Sequence, residues 1–526
     1  MNDVFVLYKE CNVGMTHYIK GNFTVIIYDN YIKELVLVSS KLNTLPLFYY
    51  YKDNNFIFSS SMKLILKFLD IQPKLNEKAL IEHTLFYYPL FDKTYYNDIL
   101  QLSHASILKI DKNGLKVQKY WHTENLLCAD QLIPEKDALC ACSDLMKKNL
   151  RVYTSDADKF LLSLTAGFDS RTNLALLERD PKDFLCYSYG MPGSKQIEIP
   201  LLISKKLGLN YKAIHLGEAF EKNYEDYALK VLDFSDGTAP ILRANFPYVF
   251  AQLSNFSRVN ITGLFGSEIL KPFSRSTEQI SPETIRLFMS ENFDAEFNDI
   301  LRQLKNTGYI RADIIDKYSH AIKEDFEKHY IKKTESFDKL ARFYIFLLEE
   351  ATRKYFMQEI RIESHYVETL TPYLDEEFLE LIFKTPFLGM YKGAGETDIF
   401  SRINSQLFYA KIIQMANPVL GDIVTDRGYK PKELLLPFIA KALKIGPVYL
   451  KERARRRLKG NDTFRSELWS KDMVTKYVSK IGNGDEIFTD KLIKGFENNI
   501  NLKGDFRFFS IFSLRLWMAL FHQERR

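Results

Sequence analysis

The segment FLLSLTAGFDSRTNLALLER, residues 160–179, decides the fold, because a strand, a turn of small residues and a helix follow one another directly in it. The apolar run before the turn is typical of a buried strand, and TNLALLER is typical of a helix. Further along the chain, DFLCYSYG predicts a strand, IPLLISKKLGL a helix and YKAIHLG another strand. Strands and helices that alternate in this way indicate βαβ units and a parallel sheet.

The turn in this segment has the chemistry of an anion site. Ala166 and Gly167 carry no bulky side chain, so the backbone can approach a ligand closely. Successive N–H groups in such a turn form a nest for anions, and the helix start adds a partial positive charge. Thr165 and Ser170 offer hydroxyl donors, and Asp169 is placed to hold a divalent cation that bridges phosphates. On these residues alone, an ordinary helix start capped by Asp169 or Ser170 is an equal alternative.

The chain before this segment has a different character. Short β-branched or aromatic runs separated by polar turns, among them NFTVIIYD, ELVLVSS, LPLFYYYK and NNFIFSS, indicate that about the first 120 residues form strands. ASILKID and LKVQKYW are expected to pair across the turn KNG, and residues 61–87 look helical. These patterns predict an antiparallel α+β domain, and from about residue 280 long amphipathic helices dominate.

Length and charge set broad limits on the protein. A chain of 526 residues is too long for one hydrophobic core, so more than one domain is expected. A net charge of +5 is a weak bias over this length and gives no reason to expect a nucleic acid partner. The basic run KERARRRLK, residues 451–459, is typical of a solvated helix face, with an anionic partner surface as the alternative.

The cysteines and the apolar segments indicate the cellular compartment of the protein. The five cysteines form no CxxC pair and are expected to be free thiols: Cys11, Cys128, Cys140, Cys142 and Cys186. The N-terminus MNDVFVLYKE carries acids and no apolar core of a signal peptide, and no stretch is apolar for long enough to span a bilayer. We therefore expect a soluble, cytoplasmic protein with no membrane partner.

Four motifs in order resemble a known family. SLTAGFDSR, residues 163–171, resembles the SGGxDS pyrophosphate loop of the N-type ATP pyrophosphatases. YSYGMPGSKQIEIPLLISKKLGL at 187–209, ITGLFGSE at 261–268 and TPYLDEEFLE at 371–380 are similar, in that order, to elements of asparagine synthetase. LPLFYY and QKYW are similar to strands of its glutaminase domain. The resemblance therefore runs from about residue 20 to about residue 430, and extends to the β-lactam synthetases and lasso-peptide cyclases.

The resemblance implies a fold with two domains. The first, over residues 1–125, is an α+β domain that resembles a reduced glutaminase of the Ntn-hydrolase type. The second, over residues 126–526, is a parallel-sheet α/β domain of the adenine nucleotide α-hydrolase type with a helical C-terminal part. In glutamine-dependent members of the family, a cysteine directly after the initiator methionine is the nucleophile, and its own α-amine acts as the base. Here residue 2 is Asn2, the strands expected before Gly21 seem missing, and Cys11 is internal, so we expect no glutaminase activity.

The resemblance also implies the residues of an ATP site with magnesium. Asp169 and Glu268 are the expected Mg²⁺ ligands, although Ser267 and Gln196 stand where the family has aspartates. Leu264 stands where asparagine synthetases have an acid and the β-lactam-forming ligases a tyrosine that joins in proton transfer. The residues expected to hold ATP are Ser163, Thr165, Gly167, Asp169, Ser170, Tyr189, Thr262 and Gly263.

A cationic residue is expected beside the reacting phosphate. Arg427, in TDRGYKP at residues 425–431, stands roughly where the family places one, and there it would stabilise charge on the leaving pyrophosphate. An ordinary surface loop is an equal alternative for this segment.

The function implied by the resemblance is an AMP-forming carbon–nitrogen ligase, with Asp169, Glu268 and Arg427 in the catalytic machinery. A small-molecule or peptide carboxylate would become an acyl-adenylate and then react with ammonia or with an amine of the substrate. The alternative is a non-catalytic descendant that binds a nucleotide and acts as a scaffold or regulator, which the departures at Leu264 and Ser267 favour.

Overall fold

The computed structural model describes residues 2–69, 74–127, 131–271, 279–392, 403–459, 466–481, 487–498 and 506–523. Its N-terminal part holds seven strands among the described residues: β1 Thr24–Asp29, β2 Glu34–Ser39, β3 Phe48–Lys52, β4 Asn55–Ser59, β5 Ile99–Gln101, β6 Ser106–Asp111 and β7 Gly114–Lys119. They form two antiparallel sheets, with the orders β1-β2-β6-β7 and β4-β3-β5. The prediction of an antiparallel N-terminal region is confirmed, including the pairing of β6 with β7 across the KNG turn.

Three helices accompany these sheets: α1 Asn2–Cys11, α2 Met62–Leu69 and α3 Glu77–Phe86. Helix α1 lies before Gly21, in the segment where the sequence shows no strand. Its apolar residues Val4, Leu7 and Tyr8 recur at helical spacing and pack on Val36 and Val38 of β2.

The central sheet is parallel, as predicted. Its five strands among the described residues are β8 Phe160–Ser163, β9 Phe184–Gly190, β10 Tyr211–His215, β11 Val259–Ile261 and β12 Glu368–Leu370. Their order is β10-β9-β8-β11-β12, with parallel pairing throughout. The chain runs outward from β8 to β10 and then returns to the other side of β8 as β11. The topological switch point, where α/β sheets leave a crevice at the carboxyl ends of their strands, lies between β8 and β11.

Helices cover the parallel sheet and make up the C-terminal part of the protein. The first group is α4 Glu135–Thr154, α5 Asp169–Leu176, α6 Lys195–Leu207, α7 Glu218–Lys222, α8 Tyr224–Ser235, α9 Asn245–Leu253, α10 Gly266–Leu270, α11 Pro282–Met289, α12 Phe293–Thr307, α13 Ala312–Phe326, α14 Lys339–Phe346, α15 Met357–Glu363 and α16 Glu376–Ile382. A π-helix, Leu347–Phe356, joins α14 to α15. The second group is α17 Leu407–Ala416, α18 Pro418–Gly421, α19 Phe438–Lys459, α20 Ser466–Ile481, α21 Asp490–Asn498 and α22 Phe506–Gln523.

The two parts of the chain share one core. Buried apolar side chains of β3, α2 and α3 belong to the same cluster as those of β8, β9 and the helices around them. The domain boundary at residue 125 therefore stays a prediction, because no break in the core marks it.

Other expectations concern the surface. Cys11, Cys140, Cys142 and Cys186 are free thiols, while Cys128 lies outside the described residues. The basic run forms the end of α19, but the side chains of residue 453 and of residues 456–459 lie outside the described ones. In the part of the chain that the structure describes, no helix is long and apolar enough to cross a membrane.

Candidate functional site

A cavity of about 230 Å³ opens at the switch point of the parallel sheet. The carboxyl ends of three strands contribute to its wall, which is the position at which parallel α/β sheets bind ligands. Seven of the eight residues predicted to hold ATP line this one cavity: Ser163, Thr165, Asp169, Ser170, Tyr189, Thr262 and Gly263. Residues nearly 100 positions apart in the sequence are thus brought together at one place.

Gly167, the eighth predicted residue, lies in the turn between β8 and α5, where side-chain oxygens accept the backbone N–H groups. The N–H of Thr165 donates to Ser170 Oγ at 2.9 Å, and that of Gly167 donates to Thr165 Oγ1 at 3.3 Å. The N–H of Ala166 donates to Gln196 Oε1 at 3.3 Å. The turn has the donors that sequence analysis predicts, and the two bonds of 3.3 Å are the long ones that an anion would replace.

The β11–α10 segment packs directly against this turn. A Cβ placed on Gly263 would lie only 2.8 Å from Ser170 N and 3.0 Å from the carbonyl carbon of Asp169. The Thr371 hydroxyl donates to the Leu264 carbonyl at 2.8 Å, and the Tyr373 hydroxyl donates to the Asp169 carbonyl at 3.0 Å. The two motifs therefore form one backbone assembly, with Leu264 on the cavity wall.

The Asp169 carboxylate is already engaged by groups of this chain. The Ser267 hydroxyl donates to Asp169 Oδ2 at 2.9 Å, and Lys271 Nζ lies 3.8 Å from the same oxygen. Lys271 Nζ also donates to Ser267 Oγ. Burial lowers the pKa of Lys271, and the neighbouring Asp169 opposes that shift.

Glu268 follows Ser267 directly and is partly buried. Gln279 Nε2 donates to Glu268 Oε1 at 3.2 Å. Burial, and after it the charge of Asp169, raise the pKa of Glu268 to about 7, while Lys271 opposes the shift. The two carboxylates are therefore close enough to influence each other, with a lysine rather than a third acid next to them.

These residues do not fit the expected magnesium site. A protein-held Mg²⁺ needs free carboxylate oxygens in near-octahedral geometry. Asp169 Oδ2 accepts the Ser267 hydroxyl and faces an ammonium group, so that Oδ1 is the oxygen of this carboxylate left without a hydrogen-bond partner in the described part of the chain. No cluster of three or more His, Cys, Asp or Glu side chains suited to a metal occurs among the described residues.

Arg427 lies outside the cavity wall, on a loop that touches the turn. The Asp426 N–H donates to the Ala166 carbonyl at 3.1 Å, and Lys195 Nζ donates to the Asp426 carbonyl at 2.9 Å. The charge of Arg427 contributes to the lowered pKa of Lys271. The segment 425–431 is thus part of the site's surroundings, whereas Arg427 itself is not among the residues that line the cavity.

Arg171 ties this loop to α5. The buried Arg171 Nη1 donates to the Ile423 carbonyl at 2.6 Å, and Nη2 donates to the Val424 carbonyl at 3.1 Å. Burial lowers the pKa of Arg171 to about 10. The side chain that follows the turn in sequence therefore supports the loop and does not reach into the cavity.

Sequence analysis missed the far wall of the cavity. Helix α9 contributes Phe246 and Phe250, which contact Tyr189 and Tyr187 edge to face at ring-centroid distances of 6.3 and 6.1 Å. Helix α15 contributes Glu359, paired with Arg243, and Glu363, which accepts the Thr369 hydroxyl.

The two carboxylates of α15 differ in their surroundings. Burial raises the pKa of Glu363 to about 8. The sequence gives no local signal for either residue, because α15 follows β11 by almost 100 residues.

One comparison with known proteins concerns the N-terminal part. Residues 3–121 match the family model of the glutamine amidotransferase domain. This match is consistent with an asparagine-synthase-like architecture and covers the region of the two antiparallel sheets. No curated protein matches the chain.

Proposed function

We propose that the chain is an asparagine-synthetase-like ligase that activates a carboxylate with ATP and forms an amide. The observation that carries the proposal is the cavity at the switch point, whose wall joins the 163–170 turn to the 262–264 segment. The amidotransferase match at residues 3–121 supports the proposal, because such a domain precedes the synthetase domain in the family that the motifs resemble.

In this proposal the turn binds the polyphosphate and the strand ends bind the nucleoside. An anion would accept the N–H groups of Ala166 and Gly167, whose present bonds are long, and the hydroxyls of Thr165 and Ser170. Tyr189, with the aromatic rings of α9 behind it, offers the apolar surface that an adenine needs.

The proposed reaction has two steps. A carboxylate oxygen attacks the α-phosphorus, the bond to the β-phosphate oxygen breaks, and pyrophosphate leaves. An amine then attacks the acyl carbon and displaces AMP. The protein would contribute mainly by holding these groups in line and by stabilising charge on the leaving group, for which Arg427 and Lys271 are the candidate cations.

The amine must lose a proton in the second step, and Leu264 on the cavity wall cannot accept it. The α15 carboxylates line the same cavity. A pKa near 8 leaves Glu363 mostly protonated at neutral pH, so we assign this role to Glu359.

The proposal predicts that ATP is split between its α- and β-phosphates. We expect the purified chain to exchange labelled pyrophosphate into ATP in the presence of its carboxylate substrate. A panel of amino acids, sugar acids and peptides tests this. Formation of ADP and phosphate in place of AMP and pyrophosphate would contradict the mechanism.

A second prediction concerns glutamine. We expect the chain to release no glutamate from glutamine above background. The matched amidotransferase region contains one cysteine, Cys11, whose nitrogen is an amide and cannot act as the base. A glutaminase assay on wild type and Cys11→Ala checks this. Release that survives Cys11→Ala would show that a nucleophile exists elsewhere, and release by wild type alone would make Cys11 the nucleophile.

The non-catalytic alternative has its own support. Leu264, which cannot transfer a proton, lies on the cavity wall. Ser267 stands where the resembled family has an aspartate that binds metal, and here its hydroxyl donates to the Asp169 carboxylate. No exchange with any carboxylate, together with intact ATP binding, would favour a nucleotide-binding scaffold or regulator over a ligase.

A further inference from the structure

Lys271 is a partly buried residue for which sequence analysis assigned no role. Helix α10 places it one turn after Ser267, and its N–H donates to the Ser267 carbonyl at 3.1 Å. Its ammonium group contacts Ser267 Oγ and lies 3.8 Å from Asp169 Oδ2. Lysine, serine and aspartate therefore form one connected group, of which Asp169 lines the cavity.

Contacts on its backbone fix the position of Lys271. The Tyr344 hydroxyl donates to the Lys271 carbonyl at 3.4 Å. Gly389 approaches so closely that a Cβ on it would lie 2.7 Å from the Lys271 carbonyl carbon. With its side chain only 22% exposed, Lys271 has little freedom to swing away from Asp169.

This arrangement competes with a divalent cation for the same carboxylate. A metal at Asp169 Oδ2 would have to displace the Ser267 hydroxyl, and a metal at Oδ1, which has no hydrogen-bond partner among the described residues, would still lie near the ammonium group, which repels it. The ammonium has instead the charge and the donors to contact a phosphate oxygen directly.

We infer that Lys271 supplies the positive charge that a protein-bound magnesium would supply, so that the site binds a polyphosphate without a metal held by Asp169 and Glu268. Asp169 then serves to hold Lys271 in position rather than to ligate a metal. This inference rests on the proposed nucleotide binding and adds to it the means by which phosphate charge is neutralised.

Calorimetric titration of the full chain with ATP and with inorganic pyrophosphate tests the inference. We expect wild-type dissociation constants in EDTA to equal those in magnesium. Lys271→Met should weaken binding in EDTA by about ten- to a hundredfold, the usual range for loss of a charged contact. The double variant Ser267→Asp, Lys271→Met should bind again when magnesium is added, because it recovers a second carboxylate beside Asp169.

Lys392→Met is the matched control. Lys392 is also largely buried and close to α10, but it donates to the carbonyls of Leu270 at 2.9 Å and Phe387 at 2.7 Å. Its replacement should leave nucleotide affinity unchanged. If Lys271→Met does not fold, the comparison of wild-type dissociation constants in EDTA and in magnesium still tests the inference.

Three results would overturn the inference. Wild-type binding that requires magnesium would do so and would leave the proposed ATP site standing. Unchanged binding by folded Lys271→Met in EDTA would also do so. Absence of ATP and pyrophosphate binding in both buffers would overturn the inference together with the proposed function.

Discussion

Replacement of Asp236 with alanine should lower the free energy of unfolding by about 3–5 kcal/mol, the usual cost of leaving one partner of a buried ion pair without the other. Asp236 is fully buried, and its Oδ2 accepts Arg361 Nη2 at 2.6 Å. The same carboxylate accepts the Ser61 hydroxyl at 2.7 Å and the Met62 N–H at 2.8 Å. Without it, the Arg361 charge and the first turn of α2 would lose their acceptor together.

Asp236 matters for the whole architecture because it joins the two parts of the chain. It follows α8 of the parallel-sheet part and caps α2 of the N-terminal part, while Arg361 comes from α15. We therefore expect the variant to expose the surface between the two parts as well as to unfold earlier. Urea unfolding followed by circular dichroism measures the change.

Asp233→Ala is the matched control. Asp233 lies one turn earlier on α8 and pairs with Lys63 of the same α2, but its side chain is 56% exposed. An exposed ion pair contributes only about 0–1 kcal/mol. Equal losses in the two variants would mean that solvent reaches the Arg361–Asp236 pair and that it does not join the two parts.

The sequence predicts the turn between β8 and α5 well, because the features that define it are local. Strand, small residues and helix follow one another in 160–179, and alternation with β9 and β10 is sufficient to predict a parallel sheet. The roles of Asp169 and Glu268 depend instead on neighbours that are distant in the sequence. Lys271, directly after α10, lies near Asp169 because β11 pairs with β8.

The cavity wall formed by α15 could not be predicted from the sequence either, because it also depends on residues that are distant in the chain. Glu359 and Glu363 lie on one face of α15, four residues apart, and this spacing is common on any helix. Only the helices inserted between β11 and β12 bring that face to the cavity.

Gly263→Ala should weaken ATP binding by about a hundredfold, because the added methyl group strikes backbone atoms of the phosphate turn. Its Cβ would lie 2.8 Å from Ser170 N and 3.0 Å from the Asp169 carbonyl carbon. Those atoms begin α5 and cannot rotate away as a side chain can. Overpacking of this kind costs about 1–3 kcal/mol. If the whole cost destabilises the ATP-bound state, the affinity falls by about five- to 150-fold.

Gly217→Ala separates this effect from a general intolerance of alanine at glycine positions. A Cβ on Gly217 would meet nothing closer than Pro192 Cγ at 3.8 Å. The Gly217→Ala variant should therefore bind ATP with the affinity of wild type. Calorimetric titration measures the affinity for ATP. Thermal unfolding of the same samples shows how much the substitution destabilises the folded protein itself. If folded Gly263→Ala binds ATP as wild type does, the nucleotide lies elsewhere, because no phosphate could use a turn that the methyl group has displaced.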